Sequence, residues 1–212
     1  MAFEFAISAF MAMVETKFVT SGGLRLWTER SGAPEDPAVL LVMGTSAPAI
    51  GWPDELVEAL VEALVEGGRQ VLRFDHRDTG RSDCVDFAAR PYTLADLAAD
   101  TVAVLDGHDV AAAHVVGASL GGAVAQWLAV HRPERVRTLT AIMTGPMGHD
   151  PGPAWARALG GLDADPGARL RTIPGMGHGF FSPGLPRRVA GLVLEHTAEP
   201  GLMRSHEGVR EA

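Results

Sequence analysis

Gly117-Ala118-Ser119-Leu120-Gly121 decides the reading of this chain. Ahead of it runs the apolar stretch Ala111 to Val116, and behind it Gly122-Ala123-Val124-Ala125-Gln126-Trp127-Leu128 reads as a helix. Strand, tight turn and helix around G-x-S-x-G is the setting of a nucleophile elbow, with the serine at the tip of a strained turn and its hydroxyl exposed. The two glycines are required because strand and helix nearly touch there and leave no room for side chains. The helix also aims its N-terminus at the reacting oxygen. The competing reading, a Gly-rich loop with a solvated serine, does not account for the flanking elements.

Working outward, Lys17 to Thr20 and Leu24 to Glu29 flank Ser21-Gly22-Gly23 and predict a β-hairpin. Ala38-Val39-Leu40-Leu41-Val42-Met43 is a continuous apolar run, the mark of a strand buried on both faces. Pro53 to Gly67 carries apolar residues at helical spacing, Gln70 to Asp75 reads as a strand, and Thr93 to Leu105 as a helix capped by Thr93. Beyond the elbow, Val136 to Met143 and Leu170 to Ile173 read as strands. Pro153 to Leu159 and Pro186 to His196 read as helices, and the loops 144–153 and 160–168 are rich in Gly, Pro and Asp. Strands alternating with helices predict an α/β fold with a mostly parallel sheet. We divide the chain into an extension over 1–14, one domain over 15–200 and a tail over 201–212.

The chain has 212 residues, a formal net charge of -8 and 47% hydrophobic residues, enough for one domain with a substantial core. Its 18 basic residues are mostly isolated arginines, so no phosphate-binding stripe forms and a nucleic-acid partner is not expected. Met1 to Met13 is apolar but lacks a basic residue and contains Glu4, which fits neither a secretory signal nor a membrane span. The lone Cys84 excludes an internal disulfide and agrees with a reducing compartment; we expect a cytoplasmic protein. No metal or cofactor is expected, because His-Glu-x-x-His, paired Cys-x-x-Cys and G-x-G-x-x-G patterns are all missing.

A serine at its free pKa is a poor nucleophile and needs a base, an orienting acid and an oxyanion site. His178, in Pro174-Gly175-Met176-Gly177-His178-Gly179 just after a predicted strand, is the expected base. Asp150, in Gly148-His149-Asp150-Pro151 after the strand ending at Met143, is the expected acid, with Asp163 and Asp165 as competitors. One oxyanion amide is expected from Leu120. The other belongs to the turn Gly44-Thr45-Ser46 after the buried strand, with Thr45 as first choice and Gly44 in reserve. Asp75 and Asp78 precede the serine and are read as holding a loop.

Leu41-Val42-Met43-Gly44, Gly51-Trp52-Pro53-Asp54-Glu55, Asp75-His76-Arg77-Asp78-Thr79-Gly80-Arg81-Ser82 and His114-Val115-Val116-Gly117-Ala118-Ser119 together resemble the α/β-hydrolases close to aclacinomycin methylesterase. Pro174-Gly175-Met176-Gly177-His178 resembles that family's histidine loop. The resemblance runs from about residue 15 to 145 and resumes near 149 to 197. It implies an α/β-hydrolase fold and ester hydrolysis, with Ser119 as nucleophile, His178 as base and the 75–82 motif as a structural turn. The family places a helical cap and a further strand before the acid. Here only a helix, one strand and a short loop separate Ser119 from Asp150, so a minimal, capless fold is expected. Loss of a cap exposes apolar surface and a sheet edge, which predicts a homo-oligomer.

The leading expectation is a serine carboxylesterase acting on small carboxylic esters through an acyl-enzyme. A lactonase or perhydrolase would use the same residues. The alternative from another class is a degenerate hydrolase that binds a small molecule or partner without turnover, its His178 left unoriented by a displaced acid.

Overall fold

The computed structural model describes residues 14–45, 47–52, 68–145 and 185–198. Within them the chain forms β1 (Val14–Ser21), β2 (Leu24–Ser31), β3 (Ala38–Val42), β4 (Gln70–Phe74), α1 (Leu94–Gly107), β5 (Ala113–Ala118), α2 (Leu120–His131), β6 (Val136–Ile142) and α3 (Leu185–Ala198). The strands make one sheet in the order β1-β2-β4-β3-β5-β6. β1–β2 and β2–β4 pair antiparallel, whereas β4–β3, β3–β5 and β5–β6 pair parallel. The expected α/β architecture with a largely parallel sheet is therefore present.

The hairpin closes through Gly22 and Gly23 at φ +54° and +84°, leaving Ser21 opposite Leu24. Two residues at positive φ give the backbone twist that matches paired strands, which is why glycines occupy this turn. The hairpin is longer than predicted, reaching back to Val14 and on to Ser31. β3 is buried along its whole length, as its apolar run predicts, and β5 likewise. Leu40, Val42, Leu72, Phe74 and Val115 from the sheet pack with Leu97, Leu105, Val124 and Leu128 from α1 and α2. α1 starts at Leu94, one residue after its cap: the Thr93 amide and hydroxyl both donate to Asp96 Oδ2 at 2.7 Å.

Strand boundaries beyond the hairpin also differ from the sequence reading: β3 stops at Val42 and β4 at Phe74, each one residue earlier than predicted. β5 begins and ends two residues later than Ala111 to Val116, because pairing with β3 and β6 sets it: Ala38 lies opposite Ala113 and Ala118 opposite Ile142. β6 stops at Ile142, and Met143 already turns away at φ +54°. The helix expected over 53–67, the helix over 153–159 and the strand over 170–173 lie outside the described residues.

This strand order fixes where a site can form. From β3 the chain goes to β4 on one side, then returns through α1 to β5 on the other side of β3. Connections leaving in opposite directions open a crevice at the carboxyl ends of β3 and β5. β3 ends at Val42, just before Gly44-Thr45, and β5 ends at Ala118, just before Ser119.

Candidate active site

Ser119 has φ +53° and ψ -117°, a conformation that L residues rarely adopt. The fold holds it there from three directions. The Ser119 amide donates to the Ile142 carbonyl at 2.9 Å, and its own carbonyl accepts from the amides of Gly122 at 2.9 Å and Ala123 at 3.3 Å. A Cβ on Gly117 would overlap the Gly121 carbonyl, and a Cβ on Gly121 would overlap the Val42 carbonyl. Both glycines of the motif are thus required by backbone-to-backbone approach, the reason given by the sequence. Strain held by so many independent contacts is a mark of a functional turn.

Leu120 opens α2, so its amide has no acceptor within the helix. Across the crevice, Gly44 abuts the serine: a Cβ on Gly44 would lie 3.2 Å from Ser119 Cβ and 3.7 Å from Ser119 Oγ. Gly44, Thr45 and Leu120 line one cleft of about 90 Å³. The structure therefore brings together Ser119, Leu120, Gly44 and Thr45. His178, Asp150 and its competitors Asp163 and Asp165 lie outside the described residues, as does Ser46.

Three other described histidines are engaged elsewhere. His108 Nε2 lies 2.8 Å from Thr28 Oγ1, His114 Nδ1 lies 2.9 Å from Thr138 Oγ1, and His131 Nδ1 donates to the Trp127 carbonyl while stacking on that indole. Among the described residues no cluster of three His, Cys, Asp or Glu is arranged to hold a metal ion, and no helix is long and apolar enough to cross a membrane.

Much of the rest of the cleft comes from a segment that the sequence marked only as a turn: His76, Arg77, Asp78 and Thr79 line it, and Tyr92 and Leu97 complete the lining. Asp75 Oδ1 accepts from the Ala49 amide at 2.6 Å and Oδ2 from the Arg81 amide at 2.8 Å. Gly80, at φ +55°, lies against that carboxylate, where a side chain would overlap Asp75 Oδ2. His76 Nε2 donates to the Met43 carbonyl at 3.0 Å, and burial holds its pKa below the usual histidine value despite that bond. Arg77 forks onto Asp100 and lies over the Tyr92 ring at 5.0 Å. Burial, with a hydrogen bond to Asp78, raises the Tyr92 phenol pKa. The sequence signal for His76, Arg77, Asp78 and Thr79 was the Asp75 to Ser82 motif, which Tyr92 and Leu97 lie outside; what it could not give is their position across from β3.

A family model for the alpha/beta hydrolase fold matches residues 37–178, and the chain belongs to this family. It is 46% identical over 159 residues to the rhodomycin D methylesterase of Streptomyces peucetius, covering 75% of this chain and 48% of that one. Its identity to the rhodomycin D methylesterase of Streptomyces sp. strain C5 is 44% over 159 residues, with the same coverage. The chain spans about half the length of the curated relatives it matches. Among solved structures, a protein described as a predicted CIB-like hydrolase from Thermoplasma acidophilum superposes with a TM-score of 0.72 over 87% of this chain and 97% of that one. Its identity is 18%, so that likeness concerns the fold.

Proposed function

We propose that the chain is a serine carboxylesterase that hydrolyses small carboxylic esters. The observation that carries this reading is the conformation of Ser119, strained at the end of β5 over the start of α2 and abutted by Gly44. Two named methylesterases among the relatives agree with it, and the family match runs through to residue 178.

In this mechanism Ser119 Oγ attacks the ester carbonyl carbon while its proton passes to His178. The carbonyl electron pair moves onto oxygen, which the amides of Leu120 and Thr45 receive, with Gly44 in reserve as donor. Collapse expels the alcohol, which takes the proton back from His178, and leaves the acyl-serine. Water, deprotonated by His178, then attacks the acyl carbon and releases the acid and Ser119. Asp150 orients the imidazole; Asp163 and Asp165 stand behind it for the same role. The site is capless in this proposal, since the sequence leaves room for only a helix, one strand and a short loop between Ser119 and Asp150, and an open site favours short acyl chains. We also propose a homo-oligomer working in the cytoplasm, the exposed Cys84 remaining a free thiol there.

Turnover of p-nitrophenyl acetate, butyrate and octanoate by wild type, Ser119→Ala and Asp150→Asn tests the reading. Loss in both variants supports the triad, and loss in Ser119→Ala alone moves the acid to Asp163 or Asp165. A wild type that is silent and labels no faster than free serine with a fluorophosphonate overturns it in favour of a non-catalytic binding protein.

A further inference from the structure

We infer that Asp75 and His76 are positioning residues that set the oxyanion amides, an inference that rests on the esterase reading. The segment after β3 leaves the sheet at Val42 and must satisfy its own backbone groups while presenting Gly44 and Thr45 to the serine. Two consecutive side chains do this from outside the segment. His76 Nε2 donates to the Met43 carbonyl at one end, and Asp75 Oδ1 accepts from the Ala49 amide at the other. Both emerge just past Phe74, the last residue of β4, and β4 runs parallel to β3 with Arg73 opposite Leu41. One point of the sheet thus holds both ends of the segment that carries Gly44 and Thr45.

The clamp is itself fixed. Asp75 donates its amide to the Trp27 carbonyl at 3.0 Å and accepts from Ser82 Oγ at its own carbonyl at 2.7 Å. The His76 carbonyl accepts from both the amide and the hydroxyl of Thr79, at 3.1 and 2.8 Å. Phe74 meets the imidazole edge-on at 4.9 Å. Both side chains are buried, at 3% and 4% exposure, so water does not compete for these bonds. Neither touches the reacting atoms in this scheme; they act through the backbone they hold. Because an oxyanion donor works only where charge develops, a loosened segment weakens the transition state and leaves substrate binding nearly alone.

The test compares wild type, His76→Met, His76→Gln and Asp75→Ala with p-nitrophenyl butyrate. Removing a donor outright costs about 10²–10³ in kcat, so displacing one in His76→Met is expected to cost about tenfold or more, with KM within about twofold. Inhibition by phenylboronic acid, whose serine adduct is tetrahedral, should weaken by a similar factor. His76→Gln, whose side-chain amide can still donate to Met43, should recover most of the loss. Hydrogen exchange followed by mass spectrometry should quicken over 44–52 in His76→Met and Asp75→Ala, which remove the donor to Met43 and the acceptor for the Ala49 amide, while β5 and α2 keep wild-type protection. Unchanged exchange over 44–52 overturns the clamp, as does an effect confined to KM or one that His76→Gln fails to recover. If wild type itself is silent, the esterase reading falls, and the exchange result alone still decides whether these residues hold the segment.

Discussion

Asp100, fully buried in α1, grips Arg77 through two hydrogen bonds: Nε to Oδ2 at 2.7 Å and Nη2 to Oδ1 at 2.8 Å. The hydrogen bonds to Asp100 raise the guanidinium pKa further above its already high value. The pair ties the turn after β4 to the middle of α1 and places Arg77 against Tyr92 at the cleft. Removing one member of such a pair leaves an uncompensated charge, at a cost of about 3–5 kcal/mol. Asp100→Asn is therefore expected to lower the unfolding free energy by about 3 kcal/mol in urea titrations. Arg77→Met combined with Asp100→Leu should cost less than the two single changes added together. A loss below about 1 kcal/mol in Asp100→Asn would mean that water reaches the guanidinium.

The strain at Ser119 gives the second prediction. An L residue held in this region costs about 1–3 kcal/mol, and glycine escapes most of that while losing more chain entropy on folding. Ser119→Gly should therefore abolish turnover and raise stability by about 1 kcal/mol. Ser119→Ala, which keeps the strain, should abolish turnover with little change in stability. Equal stability of the two variants, measured by urea titration, would show that the turn costs nothing to hold.

The edge of the sheet gives the third. β1 ends the strand order among the described residues, with Phe18 and Val14 exposed at 48% and 37%. An unpaired edge with apolar side chains invites association, although the Arg25 guanidinium lies over Phe18 at 5.1 Å and covers part of it. Light scattering at micromolar concentration should give a mass above that of one chain, and Phe18→Lys should shift it downward. A monomer in the wild type counts against the oligomer.

What the sequence made legible is local. The apolar run of β3 needed no partner to be read, because burial on both faces shows as consecutive aliphatic residues. The elbow was legible for a similar reason, since Gly117 and Gly121 answer to contacts within a few residues and to the neighbouring Val42 carbonyl. The ends of β5 were not, because Ala111 and Ala112 are as apolar as Ala113 and only pairing with β3 chooses among them. Nor was the partnership of Arg77 with Asp100, or of His76 with Met43, since each joins side chain and partner across elements 23 and 33 residues apart. A motif could say that 75–82 turns; it could not say that the turn faces the cleft beside Ser119.

Buried histidines give the stability of this fold a pH dependence whose sign can be worked out; His76, His108 and His114 all act in the same direction. His108 is held at a pKa of about 4, chiefly by burial and then by the nearby charges of Lys17 and Arg30. The Thr28 hydroxyl donates to the Lys17 carbonyl, so it accepts from His108 Nε2–H, and the buried Nδ1 has no hydrogen-bond partner to receive a second proton's N–H. His114 is likewise held at about 4 by burial, with Arg69 and Arg137 adding to it. In the unfolded chain both return to about 6.5. Between 6.5 and 4 the unfolded state binds more protons, so stability is full above 6.5 and is lost as pH falls through this window. At pH 5 each of His108 and His114 is expected to cost about 1–2 kcal/mol relative to pH 7.5. Urea titrations at the two pH values should show that drop. Since carboxylates also contribute to acid sensitivity, the deciding comparison is His114→Asn, whose drop should be smaller by about the share of one histidine. An equal drop in wild type and variant would remove His114 from the account.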